Sequence, residues 1–256
     1  MKFKNNKIKW LVVISLVVLI AACFSCGNPN AEEESVESQN ETIVAEESEE
    51  AFVAESIDLS DVNVDIYRIT LAKIDELNHT IGKPIYVTKE DYLNYKDVNV
   101  SLIGDSIAEL SKTYLHRCFR HIVQDSVPGR VMKVGIEAFD AIKKIDRIGD
   151  IMILSLGNNA MQGIDVEVLE HVYSGLEGRP LIIPTIVMPY AGQERNRNRD
   201  LTNFANTHDN CYIADWNKVA RMGENFISED GVHPTGDGSA AYAQLMLKTV
   251  IDVMKK

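Results

Sequence analysis

The chain has 256 residues, of which 45% are hydrophobic and 25% are charged, and its formal net charge at pH 7 is −12. This acidic balance argues against a nucleic-acid-binding protein, because such proteins present a basic face to the phosphate backbone. Once the charged N-terminal segments are set aside, about 200 residues remain, which suits one domain with a sizeable hydrophobic core.

The N-terminus has the features of an export signal. Residues 1–9 carry four lysines and no acidic residue, and an apolar run follows from Trp10 to Ala22. At about thirteen residues this run is shorter than the ~20 that a spanning helix needs. Small residues precede Cys23, as in a lipobox, so we expect residues 1–22 to be a signal peptide and Cys23 to carry a lipid. An uncleaved or ordinarily cleaved signal is the alternative.

An acidic segment follows the cysteine. Residues 31–55 contain ten Glu and neither Lys nor Arg. Such a composition buries too little apolar surface to fold, so residues 23–56 are predicted to form a disordered tether. The segment contributes −10 and residues 1–9 contribute +4, which leaves −6 for residues 56–256. That moderate acidity is compatible with a glycan or another neutral ester as substrate.

Residues 57–97 form an extension ahead of the first strand. Residues 66–77 have helical periodicity, and a polar stretch follows around Tyr92 and Tyr95. The extension either packs on the domain or docks a partner, and the sequence leaves both open.

A β-α-β-α alternation fills residues 98–256. Near-continuous apolar runs imply strands buried on both faces, hence a parallel sheet, while helical patterns separate the runs. This predicts an α/β fold, a three-layer α/β/α sandwich with a mainly parallel sheet of about five strands. Strands are expected at 98–103, 121–124, 151–156, 181–188 and 212–214, and helices at 106–120, 136–146, 165–176 and 238–255. The Arg- and Asn-rich stretch 193–200 is interpreted as a solvated loop, with a place beside the substrate cleft as the alternative.

Ser106 follows the first strand, in the run Gly104-Asp105-Ser106. A serine at a strand-to-helix turn is exposed and can act as a nucleophile, although the N-cap of a helix is a common alternative role. A nucleophilic serine needs an imidazole that accepts its proton and a carboxylate that orients the imidazole. Asp230 and His233 supply this pair within one short loop. A turn-forming Asp and a surface histidine are the alternatives.

Three groups are candidate oxyanion donors. Asn159 follows the strand at 151–156, and its amide can donate to a developing negative charge. The backbone N–H groups of Gly129 and of Ser106 itself are the other two, with plain turn chemistry as the alternative for Gly129. Because the carboxyl ends of parallel strands share one edge, these groups are expected to meet there. Arg130 either contacts substrate or braces its loop.

The ordered blocks Gly104-Asp105-Ser106, Gly129, Gly157-Asn158-Asn159 and Asp230-x-x-His233 resemble those of the SGNH (GDSL-like) hydrolase superfamily, over roughly residues 98–256. Within it, the chain is most similar to the extracytoplasmic SGNH domain of peptidoglycan O-acetyltransferases. Those domains usually have Gly-Thr-Asn-Gly in the third block, and their polytopic membrane domain has no counterpart in this sequence. The residues that carry this closer match are 127–130, 156–159, 198–201, 215–216, 230–235, Gly238 and Tyr242.

The resemblance implies a flavodoxin-like SGNH hydrolase fold with Ser106, Asp230 and His233 as catalytic residues. It implies an exported serine esterase or O-acyltransferase that acts on acetyl esters of cell-wall or surface glycans through an acyl-serine intermediate. The alternatives are a non-catalytic accessory protein of a membrane acyltransferase and a lipase or thioesterase of the same fold.

The expected partners are an acylated glycan or another small ester and, through the N-terminal lipid, the membrane. A membrane acyltransferase is a further candidate partner, and nucleic acid is not expected. The expected location is extracytoplasmic. No cofactor or metal is expected, since the spacing of His116, Cys118 and His121 matches no zinc motif. Whether Cys118 and Cys211 pair is open. The other histidines are interpreted as surface or packing residues, because no carboxylate lies at a sequence spacing from them that would indicate a catalytic pair.

Overall fold

A five-stranded parallel sheet lies at the centre of the structure, a computed structural model that describes residues 72–160 and 163–256. The strand order is β2-β1-β3-β4-β5, and each neighbouring pair is parallel. The strands are β1 (Asn99–Gly104), β2 (His121–Ser126), β3 (Ile151–Ser155), β4 (Leu181–Pro184) and β5 (Cys211–Ala214). The predictions for the signal peptide, Cys23, the tether and residues 57–71 lie outside the described residues.

Helices cover both faces of the sheet. Alternate residues of β3 belong to two different apolar clusters, with Ile153 in one and Leu154 in the other, so the sheet separates two cores. The predicted three-layer α/β/α fold is confirmed. The helices are α1 (residues 72–81), α2 (Lys89–Tyr95), α3 (Ser106–Leu110), α4 (Lys112–Cys118), α5 (Gly135–Lys144), α6 (Val166–Gly175), α7 (Ala191–Thr207), α8 (Trp216–Ala220) and α9 (Gly236–Met254), with 3-10 turns at Lys83–Ile85 and Met132–Val134.

The direction in which successive strands are added to the sheet reverses at β1, although all strands remain parallel. The chain runs from β1 outward to β2 and then returns to place β3 on the other side of β1. In such a sheet the crevice at the carboxyl ends of the two central strands is the usual ligand site. Gly104 and Ser155, which end β1 and β3, lie side by side in the register. The residues that follow them are therefore brought together.

The described part of the N-terminal extension packs on the domain. Gln244 of α9 donates to the side-chain oxygen of Asn78 at 3.0 Å and to the carbonyl of Ile85 at 2.9 Å. This corresponds to the first of the two alternatives for the extension. The apolar residues of α1 that are buried against α9 and its neighbours are Ile74, Leu77 and Ile81.

Three details of the secondary structure differ from the sequence-based expectation. Residues 193–200, predicted as a loop, lie inside α7, where Glu194 and Arg197 are buried. The predicted helix 106–120 is divided at Ser111 and ends at Cys118, and the strand predicted at 181–188 ends at Pro184. Hydrophobic periodicity missed the start of α7 because polar side chains occupy its buried face.

Three of the other histidines have carboxylate neighbours that the sequence spacing did not indicate, and one of them, His121, lies 3.8 Å from Asp97. His171 lies 2.7 Å from Asp140, and His208 lies 3.2 Å from Glu170. Each pair joins residues on different segments of the chain, so all three depend on tertiary packing.

Cys118 and Cys211 are buried free thiols, one of the two alternatives that the sequence left open. Burial raises the pKa of each thiol to about 12. Within the described ranges, no three His, Cys, Asp or Glu side chains converge on a place for a metal ion. The helices of the same ranges include none with the length and apolarity needed to cross a bilayer.

Candidate active site

Ser106 is the first residue of α3, directly after the turn that ends β1. The N-cap of α3 is Asp105, whose Oδ1 accepts the N–H of Ile107 at 3.0 Å. The side chain of Ser106 is therefore not used in capping, which was its alternative role. Gly104 allows α3 to approach the strand closely, since a Cβ atom there would lie 2.3 Å from the Cβ of Ala108.

Ser106, His233 and Asp230 form a continuous hydrogen-bonded row. Oγ of Ser106 lies 2.9 Å from Nε2 of His233, although 127 residues separate the two in the chain. On the other side of the ring, Nδ1 of His233 lies 2.6 Å from Oδ2 of Asp230. An imidazole bonded in this way has one nitrogen directed to the carboxylate and the other available to accept the serine proton.

The carboxylate of Asp230 accepts several further hydrogen bonds. Its Oδ1 accepts the backbone N–H groups of His233 at 2.9 Å and Val232 at 2.8 Å, and the hydroxyl of Ser228 at 2.8 Å. The backbone bond from His233 is the largest of the causes that hold the pKa of Asp230 well below its usual range. Asp230 is therefore ionised at neutral pH and oriented toward the imidazole.

One tight loop presents both Asp230 and His233. The backbone N–H of Ser228 donates to the carbonyl of His233 at 2.8 Å, and that of Gly231 donates to the carbonyl of Ser228 at 3.0 Å. Gly231 has a φ of 73°, in the left-handed region that favours glycine. An antiparallel bridge between Ile227 and Pro234 closes the base of the loop. The local sequence thus fixes the spacing of the acid and the base.

Two of the three candidate oxyanion donors, Gly129 and Asn159, lie in loops that follow β2 and β3, the two neighbours of β1. Gly129 has a φ of 76°, and Val127 in the same loop donates to the carbonyl of Gly104 at 3.2 Å. Asn159 lies two residues after Gly157, whose φ is 133°. Since β1, β2 and β3 are adjacent, Ser106 and both loops share the carboxyl edge of the sheet.

Asn159 contacts the buried carboxylate of Asp105, the residue that precedes Ser106. Its Nδ2 donates to Oδ2 of Asp105 at 3.3 Å. Asp105 is 1% exposed, and this burial raises its pKa to about 6 in spite of the N–H of Ile107 and the charges of His233 and Arg130. Asp105 therefore links the start of α3 to Asn159.

Arg130 ties the end of β2 to the end of β1. Its Nη1 donates to the carbonyls of Asp125 at 2.7 Å and Gly104 at 3.2 Å, and its Nη2 lies 2.6 Å from Oδ1 of Asp125. Only 7% of its side chain is exposed. These contacts fit the bracing alternative for Arg130.

Polar residues of α7 contact the loops at the same edge of the sheet. Nη1 of Arg197 donates to the carbonyl of Gly157 at 2.9 Å, and the amide of Asn198 both accepts from and donates to the backbone of Ile186. Residues 198–201 belong to the family match, but the sequence carries no signal for a role of Arg197. The helix replaces the loop that had been predicted here.

The arrangement has the parts needed for acyl transfer through a covalent intermediate. A serine hydroxyl is bonded to an imidazole, and a carboxylate orients the imidazole, which is how a weakly nucleophilic hydroxyl is activated. The amide of Asn159 carries two N–H groups, so one remains for an oxyanion when the other is directed to Asp105.

No family model matches the chain. The peptidoglycan O-acetyltransferase OatA of Listeria monocytogenes is 25% identical over 144 residues, which are 56% of this chain and 22% of that protein. The chain therefore spans about a fifth of the length of the curated relative that it matches.

Among solved structures, a family 3 carbohydrate esterase from Clostridium thermocellum superposes with a TM-score of 0.51 and 15% identity, over 62% of this chain and 98% of that one. The C-terminal catalytic domain of Streptococcus pneumoniae OatA, solved with a methylsulfonyl adduct, superposes with a TM-score of 0.49 and 19% identity, over 62% of this chain and 91% of that one. The resemblance predicted from the ordered blocks is confirmed by the sequence match to the OatA of Listeria monocytogenes. The superposition on the Clostridium thermocellum esterase shows that the fold is shared.

Proposed function

We propose that the chain is a serine esterase or O-acyltransferase that acts on acetyl esters of cell-wall or surface glycans through an acyl-Ser106 intermediate. The observation that carries this proposal is the 2.9 Å contact between Oγ of Ser106 and Nε2 of a His233 held by Asp230. A non-catalytic accessory role is less well supported, because such a protein has no need of this row of hydrogen bonds.

In the first half of the reaction, Oγ of Ser106 attacks the ester carbonyl while Nε2 of His233 takes the hydroxyl proton. The carbonyl oxygen becomes negatively charged, and N–H groups of Asn159, Gly129 and Ser106 stabilise it. Asp230 stabilises the imidazolium that forms on His233. When the tetrahedral intermediate collapses, the bond to the leaving alcohol breaks and His233 returns the proton to that alcohol.

The second half repeats these steps with a new nucleophile. His233 takes a proton from water or from a sugar hydroxyl, whose oxygen attacks the acyl-Ser106 carbonyl, and the proton then returns to Ser106. Water gives a free acid and so an esterase, whereas a sugar hydroxyl gives an acetylated glycan and so a transferase. The outcome depends on how well the cleft holds an acceptor and excludes water.

The relatives support the choice of an acetyl group and of a carbohydrate. One is named a peptidoglycan O-acetyltransferase and another a carbohydrate esterase, so acyl chemistry on carbohydrates appears in both names. The moderate net charge of −6 over residues 56–256 is compatible with such a neutral substrate.

The proposed location is extracytoplasmic, with a lipid on Cys23 as the membrane anchor. The basic residues 1–9, the short apolar run and the small residues before Cys23 support export, and the acidic composition of residues 23–56 supports a tether between lipid and domain. The extension 57–97 would then precede the catalytic domain 98–256, and a membrane acyltransferase is the proposed supplier of acyl groups in the transferase case.

The test is acetate release from a chromogenic acetyl ester and from an acetylated glycan by the full-length protein. A chito-oligosaccharide acceptor is added in parallel, and the variants are Ser106→Ala and, as a control at an exposed serine of α6, Ser174→Ala. We expect turnover by wild type and by Ser174→Ala and its loss in Ser106→Ala. Acetylated oligosaccharide would identify a transferase. Turnover that survives in Ser106→Ala, or no turnover of any acyl donor by wild type, would overturn the proposal.

A further inference from the structure

Arg197 holds the loop that carries Asn159. Its Nη1 donates to the carbonyl of Gly157 at 2.9 Å and to that of Asn158 at 3.0 Å, and its Nη2 donates to the carbonyl of Ala160. The guanidinium therefore holds backbone carbonyls on both sides of Asn159. Arg197 itself lies in α7 and is 7% exposed, so these contacts are shielded from water.

The guanidinium of Arg197 is stabilised by hydrogen bonds to these neutral carbonyls. The ion pairs found among residues 72–160 and 163–256 include no carboxylate with Arg197. The acid one turn earlier, Glu194, contacts Arg221 at 2.5 Å and accepts the N–H of Met188 at 2.7 Å. Burial lowers the pKa of Arg197 below its ordinary value, because desolvation disfavours the cation. Burying a cation that has only neutral acceptors costs folding free energy. We therefore infer that Arg197 has a role beside Asn159 other than packing.

The loop has few internal constraints that would fix Asn159 without Arg197. It leaves β3 through Gly157 at a φ of 133°, and its own backbone bond joins Ala160 to Gly157 at a long 3.3 Å. Asn158 is held on the other side, where its Nδ2 donates to the carbonyl of Val187 at 2.8 Å. The fork of the guanidinium matches several acceptors at once, which a lysine ammonium does not.

We propose that Arg197 is a positioning residue, which fixes residues 157–160 so that the amide of Asn159 lies where the oxyanion develops. This inference rests on the proposed function in one respect, that Ser106 is the nucleophile. The oxyanion exists in the transition state and not in the bound substrate, so loss of Arg197 is expected to lower kcat and leave KM nearly unchanged. The expected loss is about 10–100-fold, below the 10²–10³-fold typical of removing an oxyanion donor.

A double-mutant cycle tests this role directly. The variants are Arg197→Ala, Asn159→Ala and the double variant, with Arg199→Ala as the control, since Arg199 is exposed on the same helix and pairs with the adjacent Asp200. If Arg197 acts through Asn159, the double variant should have the same kcat as Asn159→Ala. A double variant whose loss equals the product of the two single losses would overturn the inference.

Rescue separates positioning from a general loss of folding. Guanidinium ion at millimolar concentration should restore part of the kcat of Arg197→Ala and none of that of Asn159→Ala, while thermal unfolding is followed for every variant. If Arg197→Ala does not fold, Arg197→Lys takes its place, with a smaller expected loss of kcat. No rescue of a folded Arg197→Ala, or a kcat for Arg197→Lys equal to that of wild type, would contradict the inference.

The rate at which an aryl phosphonate modifies Ser106 gives a readout that requires no knowledge of the natural substrate. The phosphonyl oxygen places a negative charge at the same donors, so Arg197→Ala should be modified about 10–100-fold more slowly than Arg199→Ala. If wild type is neither modified nor active, the proposed function fails. If wild type is modified and Arg197→Ala reacts as fast as Arg199→Ala, the inference fails alone.

Discussion

The side-chain amide of Asn159 donates to the carboxylate of Asp105 across 3.3 Å, which ties a proposed oxyanion donor to the residue that precedes the proposed nucleophile. The two carboxylate oxygens of Asp105 have different partners, since the other oxygen accepts the N–H of Ile107 at the start of α3. A carboxylate is suited to this position because it accepts at both oxygens, whereas an amide accepts at one.

Ionisation of Asp105 should make the stability of the protein depend on pH. Burial raises its pKa from 3.8 to about 6, so its contribution to stability is complete below pH 4 and is lost as the pH rises through 6. The free energy of unfolding of Asp105→Asn minus that of wild type should therefore rise by up to about 3 kcal/mol between pH 4 and pH 7. Urea unfolding across this range measures the difference.

The comparison with Asp105→Asn cancels the titration of other groups. Two stability curves that run parallel from pH 4 to pH 7 would contradict the raised pKa of Asp105. The same variant should also turn over more slowly at pH 7, because an amide has one acceptor oxygen and cannot accept at both of the positions that Ile107 and Asn159 contact.

The carboxylate of Asp230 is expected to be needed for the correct tautomer of His233. Asp230→Asn should lower kcat by up to about 10⁴-fold at neutral pH, because a neutral amide does not hold the proton on Nδ1 and the imidazole adopts the wrong tautomer. The matched control is Ser228→Ala, which removes one of the hydrogen bonds to Asp230 but keeps both backbone bonds. Steady-state kinetics should show a loss of less than about tenfold for this control. Equal losses in the two variants would argue against tautomer control.

A substitution at Gly129 tests its proposed role as a second oxyanion donor. Its φ of 76° is unfavourable for alanine, and a Cβ atom there would meet nothing within 4 Å, so Gly129→Ala perturbs the backbone without a clash. Gly178, with a φ of 88° and the same open space, is the matched control at a distant turn. Both variants should lose about 1–2 kcal/mol of stability. Only Gly129→Ala should also lose kcat, and retention of its kcat would exclude Gly129 as a donor.

Tyr242 should stabilise the fold without taking part in the reaction. Its hydroxyl donates to Oγ of Ser155 at 2.7 Å in the core beneath the site, and burial raises its pKa, so the donor keeps its proton. Tyr242→Phe leaves a buried serine hydroxyl without this partner and should cost about 1–3 kcal/mol of unfolding free energy. Urea unfolding measures the loss, and kcat should stay close to that of wild type. A tenfold fall in kcat with unchanged stability would contradict this assignment.

The sheet and the four sequence blocks could be predicted because each depends on local sequence. The run Ile151–Ser155 is apolar almost throughout, which predicts a strand that is buried on both faces of the sheet, and every one of its residues is buried. Ser106, Asp230 and His233 were recognised because each stands in a short motif with defined neighbours. The alternation of strands and helices then fixed a parallel sheet whose carboxyl edge collects them.

The contacts that support the site could not be predicted, because they depend on which segments become neighbours. The start of α7 was interpreted as a loop because hydrophobic periodicity assumes an apolar buried face, whereas this face carries Glu194, Arg197 and Asn198. The bond between Asp105 and Asn159 joins residues 54 positions apart and requires β1 and β3 to be adjacent.

The most direct test of the account is to look for the acyl group on Ser106. Wild type and Ser106→Ala are mixed with an activated acetyl ester, quenched in acid within the first turnover, and digested for mass spectrometry. The account predicts the mass of one added acetyl group on the peptide that contains Ser106 in wild type, and no acetylated peptide in the variant. An acetyl group on another residue, or turnover by wild type without any acetylated Ser106, would contradict it.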